Sequence, residues 1–197
     1  MGNGPCAGGW TPPLLEEDDY IMGASSGGGY GGLGGNGGSD DPLNIAVGGC
    51  VTGTPSGSDI EMGSSAGSAD YGVGGAGGAS LRVTAEAIDI AGEITMNGED
   101  GTTYTGRNGG GGAGGGILLD AETVTVSGLL SADGGHGGTG DSLEGDGGGG
   151  GGGGRIKVFS NQGTFFTGAA SVIGGQGNPY GWYVYGTNGE DGTTHGI

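Results

Sequence analysis

Few side chains in this sequence have the types and spacing that catalysis or zinc binding requires. The chain has two histidines, His136 and His195, and two cysteines, Cys6 and Cys50, and these residues do not form a zinc-ligand pattern. No nucleophile-elbow, zinc-protease or phosphate-loop motif occurs in the sequence. His136 lies in the glycine tract GGHGGTGD, where we expect an exposed histidine that binds no metal. We therefore predict that the protein is not an enzyme.

Acidic residues are the remaining candidates for metal binding. The stretch GGTGDSLEGDGG at residues 137–148 is one residue short of a calcium-binding nonapeptide, and it occurs once. The motif NGEDGTT occurs twice, at residues 97–103 and 188–194, and acidic turns can supply oxygen ligands to calcium. Solvated carboxylates in turns account for the same residues without a metal. The calcium candidates are Asp100, Asp133, Asp141 and Asp146, and no other cofactor is predicted.

Aromatic residues are concentrated in the stretch NPYGWYVYG at residues 178–186. Its alternation predicts a strand with one aromatic face. Such a face can cap the end of the fold or contact another subunit, which is our first interpretation, or it can stack on sugar rings. The candidate binding surface consists of Trp182, Tyr183 and Tyr185.

The charge balance excludes several classes of partner. The chain has 22 Asp and Glu residues against 4 Lys and Arg residues, which gives a formal net charge of −18. Nucleic acids and anionic membrane surfaces are therefore not predicted partners. No apolar run approaches the roughly 18 residues of a membrane span, so membrane insertion is not predicted. A polysaccharide lyase on a parallel β-helix is the enzyme alternative, but the basic residues are too few for its cleft.

The two cysteines bear on the compartment. Cys6 and Cys50 can form a single disulfide bridge, which would suit an extracellular setting. They can equally be two unrelated thiols, and the sequence leaves both readings open.

The sequence repeats itself with a period of about 36 residues. Residues 77–101 align with residues 114–138, so that Leu81 matches Ile117. A third copy spans residues 153–177 and contains one extra residue in its middle. The repeat indicates that one structural unit recurs along the chain.

Within each copy the apolar residues recur at every second position, which is the period of a β-strand. The pattern predicts three short strands per copy, at residues 81–85, 88–90 and 94–96 in the first. Stacked copies would give a parallel β-solenoid with a thin core, since no copy can bury its apolar side chains alone. The residues predicted to point inward are Leu81, Val83, Ile88, Ile90, Ile94, Ile117, Leu119, Val124, Val126, Leu130, Ile156, Val158, Phe165 and Val172.

Glycine supplies 61 of the 197 residues and is concentrated in tracts between the predicted strands. In the tract GGGYGGLGGNGG at residues 27–38, every third residue carries a side chain. Extended helices with three residues per turn can pack side by side and share backbone hydrogen bonds only where no Cβ blocks the approach. We therefore predict packed polyglycine-type arms rather than flexible linkers, with Tyr30, Leu33 and Asn36 along one exposed row.

The copies GGAGGASLRVTAEAIDIAGEITMNGEDG, GGGILLDAETVTVSGLLSADGGHGG and GGGGGGGGRIKVFSNQGTFFTGAASVIGGQG resemble the glycine-rich repeats of very large bacterial and archaeal cell-surface proteins. They are also similar to tracts in phage tail-fibre adhesins that are built on packed polyglycine helices. The resemblance covers residues 72–177, about half of the chain. It implies an extracellular structural or adhesive role and no catalytic residues.

These patterns together predict an all-β fold, a glycine-rich parallel β-solenoid with packed polyglycine II-type arms. We expect an N-terminal cap or assembly segment at residues 1–70, the repeats at residues 71–177, and an aromatic strand or cap at residues 178–197. The expected function is an extracellular or cell-surface structural or adhesive protein that assembles with itself into a fibre or forms part of a stalk. The alternatives are an adhesin that binds a receptor or glycan through its aromatic face, and an ice-binding protein.

Overall fold

Nine β-strands carry the fold of the residues that the computed structural model describes, which are 3–10, 14–15, 20–21, 24–39, 41–69, 72–103, 108–139, 146–179 and 184–197. In chain order the strands are β1 (Leu14–Leu15), β2 (Tyr20–Ile21), β3 (Ser80–Ile90), β4 (Glu93–Thr95), β5 (Gly116–Val126), β6 (Leu129–Ser131), β7 (Arg155–Phe166), β8 (Ala169–Ser171) and β9 (Thr193–His195). No helix occurs among these described residues.

The strands pair into two parallel sheets and one short antiparallel pair. Strands β3, β5, β7 and β9 lie side by side in that order in a four-stranded parallel sheet, and β4, β6 and β8 form a three-stranded parallel sheet. Strands β1 and β2 pair antiparallel. In the larger sheet Leu81 is the Cα partner of Ile117, and Ile117 is the partner of Ile156. These are the residues that the alignment of the copies matched.

Each long strand is followed by a short strand and an extended segment, and the three together make one layer of the molecule. The first layer is residues 80–103, the second is residues 116–139, and the third is residues 155–179. The layers lie on one another in sequence order, because each strand pairs with its equivalent in the next layer.

The fold class predicted from the sequence is wrong. The prediction was an all-β, glycine-rich parallel β-solenoid with packed polyglycine II-type arms and three strands per copy. The described residues instead form two parallel sheets of the kind found in α/β proteins, although without helices, and each copy contributes one long and one short strand. The predicted break after residue 85 is absent, because β3 continues as one strand of 11 residues. Residues 24–38 and 63–67, which lie outside the repeat, also bond between the glycine segments, so the chain does not wind as a simple coil of copies.

The apolar core connects the two parallel sheets. Ile117, Leu119 and Val124 of β5 belong to one cluster with Leu130 of β6, and all four side chains are fully buried. Burying an aliphatic side chain of this size stabilises the folded state by about 1.5–3 kcal/mol. Strand β5 is well buried because it has a parallel neighbour on each side. The other predicted inward residues belong to this cluster or pack against it, except Phe165 and the half-buried Leu81.

Phe165 is the predicted core residue that is wrong. It is 68% exposed, and Phe166 packs against the core in its place. The extra residue of the third copy shifts the pairing of β5 with β7 after Ala121, and Gly163 takes a left-handed φ of 128° in this stretch. The shift sets Phe166 opposite the buried Val126. The sequence indicated the insertion but not its place in the strand.

The glycine tracts are extended segments that hydrogen bond to one another through their backbones. Residues 147–154, here called the central glycine segment, consist of glycine alone. It bonds to residues 32–38 through every third residue of that stretch. The N–H groups of Gly32, Gly35 and Gly38 donate to the carbonyl oxygens of Gly153, Gly150 and Gly147 over 2.7–2.9 Å.

The absence of Cβ atoms is what allows this close approach. A methyl group on any residue from 148 to 154 would overlap a backbone carbonyl group of a neighbouring segment. Successive glycines face three different neighbours in turn, so no position from 148 to 154 can carry a side chain without displacing backbone. Gly150 faces the carbonyl oxygen of Gly175, Gly151 that of Gly112, and Gly152 that of Gly32.

The exposed row predicted for the N-terminal glycine tract is wrong at its first member. Tyr30 is fully buried, whereas Leu33 is 41% exposed and Asn36 is half-buried. The tract lies beside the central glycine segment, and residues 24–39 are mostly buried. The three-residue spacing indicated which positions carry side chains, but not what surrounds each one.

The predicted domain boundaries after residues 70 and 177 stay a prediction.

Replacing Gly151 with alanine should destabilise the protein strongly. The new methyl group would overlap the backbone of Gly112, and the two segments must separate because a backbone atom cannot rotate away. We expect the free energy of unfolding to fall by about 3 kcal/mol, at the upper end of the usual cost of overpacking. Gly92→Ala is the matched control, since a Cβ there meets no atom within 4 Å. Thermal unfolding followed by circular dichroism makes the comparison, and equal melting temperatures would contradict this account of the glycine segments.

Candidate functional site

The carboxylate of Asp133, a predicted calcium ligand, is occupied by protein hydrogen-bond donors. Its Oδ1 accepts hydrogen bonds from the Ser171 hydroxyl at 2.6 Å and from the Ile173 N–H at 2.7 Å. Its Oδ2 accepts one from the Ser131 hydroxyl at 3.0 Å. The bonds from Ser171 and Ile173 tie the second layer to the third, so the side chain has a structural role whether or not calcium binds.

The remaining calcium candidates occupy different surroundings. Asp100 is exposed and its Oδ1 accepts the N–H of His136 at 2.7 Å. Asp146 is buried, and its backbone carbonyl accepts a hydrogen bond from the Asn108 side chain at 2.9 Å. Asp141 lies outside the described residues. In the part of the chain that the structure describes, no three His, Cys, Asp or Glu residues are grouped so as to hold a metal ion. Calcium binding stays a prediction.

Side chains between the glycines form a ladder that joins the layers. Each accepts a backbone N–H from the equivalent residue of the next layer, over 2.7–3.0 Å. The NGEDGTT motif that suggested calcium turns therefore supplies acceptors to backbone amides. From the first layer to the second, the side chains of Asn97, Asp100 and Thr103 accept the N–H groups of Asp133, His136 and Thr139. From the second layer to the third, the side chains of Asp133 and His136 accept the N–H groups of Ile173 and Gln176.

The predicted aromatic surface is described only in part. Trp182 and Tyr183 lie outside the described residues. Tyr185 is 57% exposed, as a ligand-stacking role requires. Its neighbour Val184 forms an isolated antiparallel bridge with Ser39, which ties this stretch to the end of the N-terminal glycine tract. The binding surface stays a prediction.

A shallow groove runs across the ladder and is lined by polar side chains. Its volume is about 320 Å³, and its lining includes Asp100, Thr103, His136, Thr139 and Gln176. His136 Nδ1 accepts the N–H of Gln176 at 2.9 Å, which leaves Nε2 to carry the proton of the neutral ring. The groove therefore offers donors and acceptors of the kind that hydroxylated ligands use.

Two of the four basic residues are buried on the outer face of β7, on the side opposite the core. Arg155 is 1% exposed and donates hydrogen bonds to the Thr52 carbonyl at 2.7 and 3.2 Å and to the Thr193 hydroxyl at 2.7 Å. Its guanidinium carbon lies 5.6 Å from the centroid of the Tyr30 ring. A buried charge is costly unless it is hydrogen bonded, and these acceptors meet that requirement.

The second buried base, Lys157, holds the loop at residues 51–63 against the sheet. Its Nζ donates to the carbonyl oxygens of Gly57 and Asp59 at 2.9 and 2.6 Å, and forms an ion pair with the Asp59 carboxylate at 3.2 Å. Hydrogen bonds from the hydroxyl and N–H of Thr54, with a smaller contribution from Lys157, hold the pKa of the Asp59 carboxyl well below its usual range. The loop is therefore anchored by an ionised carboxylate at neutral pH.

Tyr30 completes this cluster from the N-terminal glycine tract. Its ring is fully buried, and its hydroxyl accepts the N–H of Glu61 at 2.9 Å. Burial raises the pKa of Tyr30, although the bond to Glu61 and the charge of Arg155 act in the opposite direction. The cluster joins the first tract, the loop and β7, so its role is to position these elements rather than to react.

The two cysteines form a disulfide bridge, Cys6–Cys50, with a sequence separation of 44 residues. Cys6 is buried, and its carbonyl accepts the N–H of Gly29 at 3.0 Å. The bridge thus fastens two stretches that flank the N-terminal glycine tract. The sequence left this pairing open, and the structure decides it.

No family, curated protein or solved structure matches this chain. None of the described residues belongs to a helix with the length and apolarity that a membrane crossing requires.

Sequence reasoning missed the buried base cluster. A signal was available, because Arg155 and Lys157 are two of the four bases and alternate with the core residues Ile156 and Val158. Two like charges on the same face of a strand, in a chain this short of bases, indicate a covered face with acceptors. The covering loop could not be identified, because its acceptors are mostly backbone carbonyl groups.

The loop at residues 51–63 should loosen in acid. A lowered pKa in the folded protein means that the ionised Asp59 contributes its full stabilisation above the ordinary carboxyl range near pH 4, and that this is lost as the pH falls below it. The protection factors of the Thr54 and Gly57 amides, taken relative to the intrinsic exchange rate at each pH, should fall in acid in the natural chain and be low already at neutral pH in Asp59→Asn. Asp89→Asn, at an exposed position of β3, is the control and should leave both amides protected at pH 7. Unchanged protection in Asp59→Asn would contradict the anchoring role.

Removing the disulfide should lower stability without changing the core. A bridge that closes a loop of this length contributes about 4 kcal/mol in the chain-entropy treatment. The Cys6→Ser, Cys50→Ser double variant should therefore melt well below the natural chain, and reduction should move the natural chain toward the variant. Calorimetry with and without reductant measures this. A melting temperature indifferent to reductant would show that the bridge is not formed in solution.

Proposed function

We propose that this chain is an extracellular or cell-surface structural or adhesive element, which builds a fibre or a stalk by adding further layers at its strand edges. It has no catalytic role in this proposal. We also propose that the chain is related to the glycine-rich repeats of large cell-surface proteins. This part of the proposal rests on the resemblance of the three copies to those repeats.

The observation that carries the proposal is the open edge of the first layer. Strand β3 is 11 residues long, pairs with β5 on one side, and has no strand on the other among the described residues. Most of its residues are exposed, and none is proline. An edge of this length is a template for a further strand.

Charge decides how such edges can meet. Strand β3 carries Arg82, Glu86 and Asp89, so two copies of this edge would repel each other. Residues 158–189, which include most of the third layer, contain no Asp, Glu, Lys or Arg. An acidic edge can therefore approach an uncharged end, and contacts between unlike ends generate open assemblies.

The extracellular setting is supported by the disulfide bridge. Bridges persist in oxidising compartments and are rare where thiols are kept reduced. The high negative charge, with acids spread over an exposed surface, would keep such a glycine-rich chain soluble.

A glycan-binding module is the second candidate. The exposed Tyr185 lies within the uncharged stretch, and exposed aromatic rings are suitable platforms for sugar rings. The polar groove beside His136 supplies the hydrogen-bonding groups that a sugar would need.

Electron microscopy of the purified chain should show filaments whose number rises with salt. Salt screens the repulsion between copies that each carry a net charge of −18, so assembly in 0.5 M sodium chloride should exceed assembly at low ionic strength. Thr84→Pro, which removes a donor at the exposed centre of β3, should suppress filaments, whereas Thr125→Ala on the interior strand β5 should not. Monomers at every salt concentration, together with selective binding of the natural chain on a glycan array, would favour the second candidate.

A further inference from the structure

The backbone of the first layer lacks a set of hydrogen bonds that both other layers have. In the second layer, the N–H groups of Asp133 and His136 are capped by side chains from below, and their carbonyl oxygens accept the N–H groups of Gly98 and Gly101. The third layer has the same bonds. The N–H groups of Ile173 and Gln176 donate to the side chains of Asp133 and His136. The carbonyl oxygens of Ile173 and Gln176 accept the N–H groups of Gly134 and Gly137.

The equivalent groups of the first layer are open. The N–H and the C=O of Asn97 and of Asp100 have no hydrogen-bond partner among the described residues, and both residues are exposed. The N–H of Thr103 is in the same position. Five backbone groups, spaced as in the layers above, are thus presented at one face.

This row continues the open edges of the two sheets. Strands β3 and β4 are edge strands, and residues 80–95 lead directly into the row at residues 97–103. The side of residues 80–103 that points away from the second layer is here called the lower face. It offers a long strand edge, a short strand edge and a set of spaced donors and acceptors in one continuous stretch of chain. Those are the features by which the first layer itself holds the second.

The opposite end of the molecule does not offer the same face. Strand β9 covers the start of β7 at Arg155–Lys157, and the left-handed Gly163 interrupts the rest of that edge. At the ladder positions, Ile173 has no acceptor in its side chain and Pro179 has no N–H. The pattern by which layers cap one another ends there.

We propose that the lower face binds an extended glycine-rich segment of another chain, in which an Asn, Asp or Thr followed by glycine recurs every third residue. The side-chain oxygens of that segment cap the N–H groups of Asn97, Asp100 and Thr103. The N–H groups of its glycines donate to the carbonyl oxygens of Asn97 and Asp100. The pattern is that of NGEDG, which is how residues 97–101 serve the second layer.

Charge defines the strand that precedes this motif in the partner. The face carries Glu86, Asp89, Glu93 and Glu99 against Arg82, so a partner strand with neutral or basic side chains is favoured. The inference rests on the proposed function and deepens it. A second copy that docks by its third layer pairs strand edges, but Ile173 and Pro179 have no side-chain acceptor for the row at residues 97–103, and the inference names the chemistry of the segment that fills this row.

The probe is a synthetic peptide with the sequence of residues 80–103, in which Glu86→Lys, Asp89→Lys and Glu93→Lys match the acidic face. The full natural chain, isotope labelled and kept at low ionic strength, where the proposed assembly is weakest, is titrated with it, and amide exchange is followed residue by residue by NMR. We expect exchange at Asn97, Asp100 and Thr103 to be fast in the free chain and to slow by at least about tenfold on binding. The capped amides of Asp133 and His136 should be protected throughout and serve as internal references.

The control peptide carries the further changes Asn97→Leu, Asp100→Leu and Thr103→Val, which remove the acceptors and leave its charge more favourable. It should bind less tightly and leave the three amides exchanging fast. Equal protection by both peptides, or protection by neither, would overturn the proposed chemistry. Protection of these amides by a second folded copy at high concentration, without any effect of the peptide, would overturn it as well. Filaments that form while the peptide fails would leave the proposed function standing and reject this inference alone.

Discussion

The hydrogen bond between two bare stretches of backbone is the interaction on which this structure depends. Each such bond contributes only about 0.5–1.5 kcal/mol net, and ordering glycine costs more conformational entropy than ordering any other residue. A glycine segment is therefore stable only where several neighbours bond to it at once, as the central glycine segment does on three sides. The parallel sheets would otherwise need helices to cover them. Here the loop at residues 51–63 covers the outer face of β7, and the small apolar core is sufficient because the backbone of the glycine segments is so extensively paired.

The sequence could predict the pairing of the strands but not the architecture. Alternating apolar residues and a repeat period are local signals, and they matched Leu81 to Ile117 correctly. The predicted division of each copy into three strands was wrong because it was judged from the alternation of apolar side chains, whereas β3 continues through residues 86–87 as one strand. The neighbours of a glycine segment were also beyond prediction, since glycine carries no side chain that could distinguish residues 32–38 from residues 109–116 as a partner. Tyr30 was misjudged for the same reason: its surroundings are set by segments distant in sequence.

The site residues show a similar division. A carboxylate beside glycine has the same appearance in a sequence whether it binds calcium or a backbone amide, and Asp133 and Asp100 are seen to accept amides. Arg155 and Lys157 were missed because their partners, such as the carbonyl oxygens of Thr52 and Gly57, leave no trace in residue types. The disulfide was one of two stated alternatives. In a chain this rich in glycine, most of the specific contacts involve the main chain, and the amino-acid sequence describes the main chain least.

A stretch of identical residues has no internal landmark. Residues 147–154 would present the same atoms to their neighbours if the chain slid along by one position, so nothing within the stretch selects the native alignment. The contacts that select it are at the two ends. The Asn108 side chain donates a hydrogen bond to the carbonyl oxygen of Asp146, and Arg155 is buried beneath the loop at residues 51–63. These two contacts set the alignment of the glycines between them, and a chain that forms one of them out of register has a misaligned interior that no contact within the stretch corrects. The residues at the two borders therefore determine the register of the whole glycine stretch.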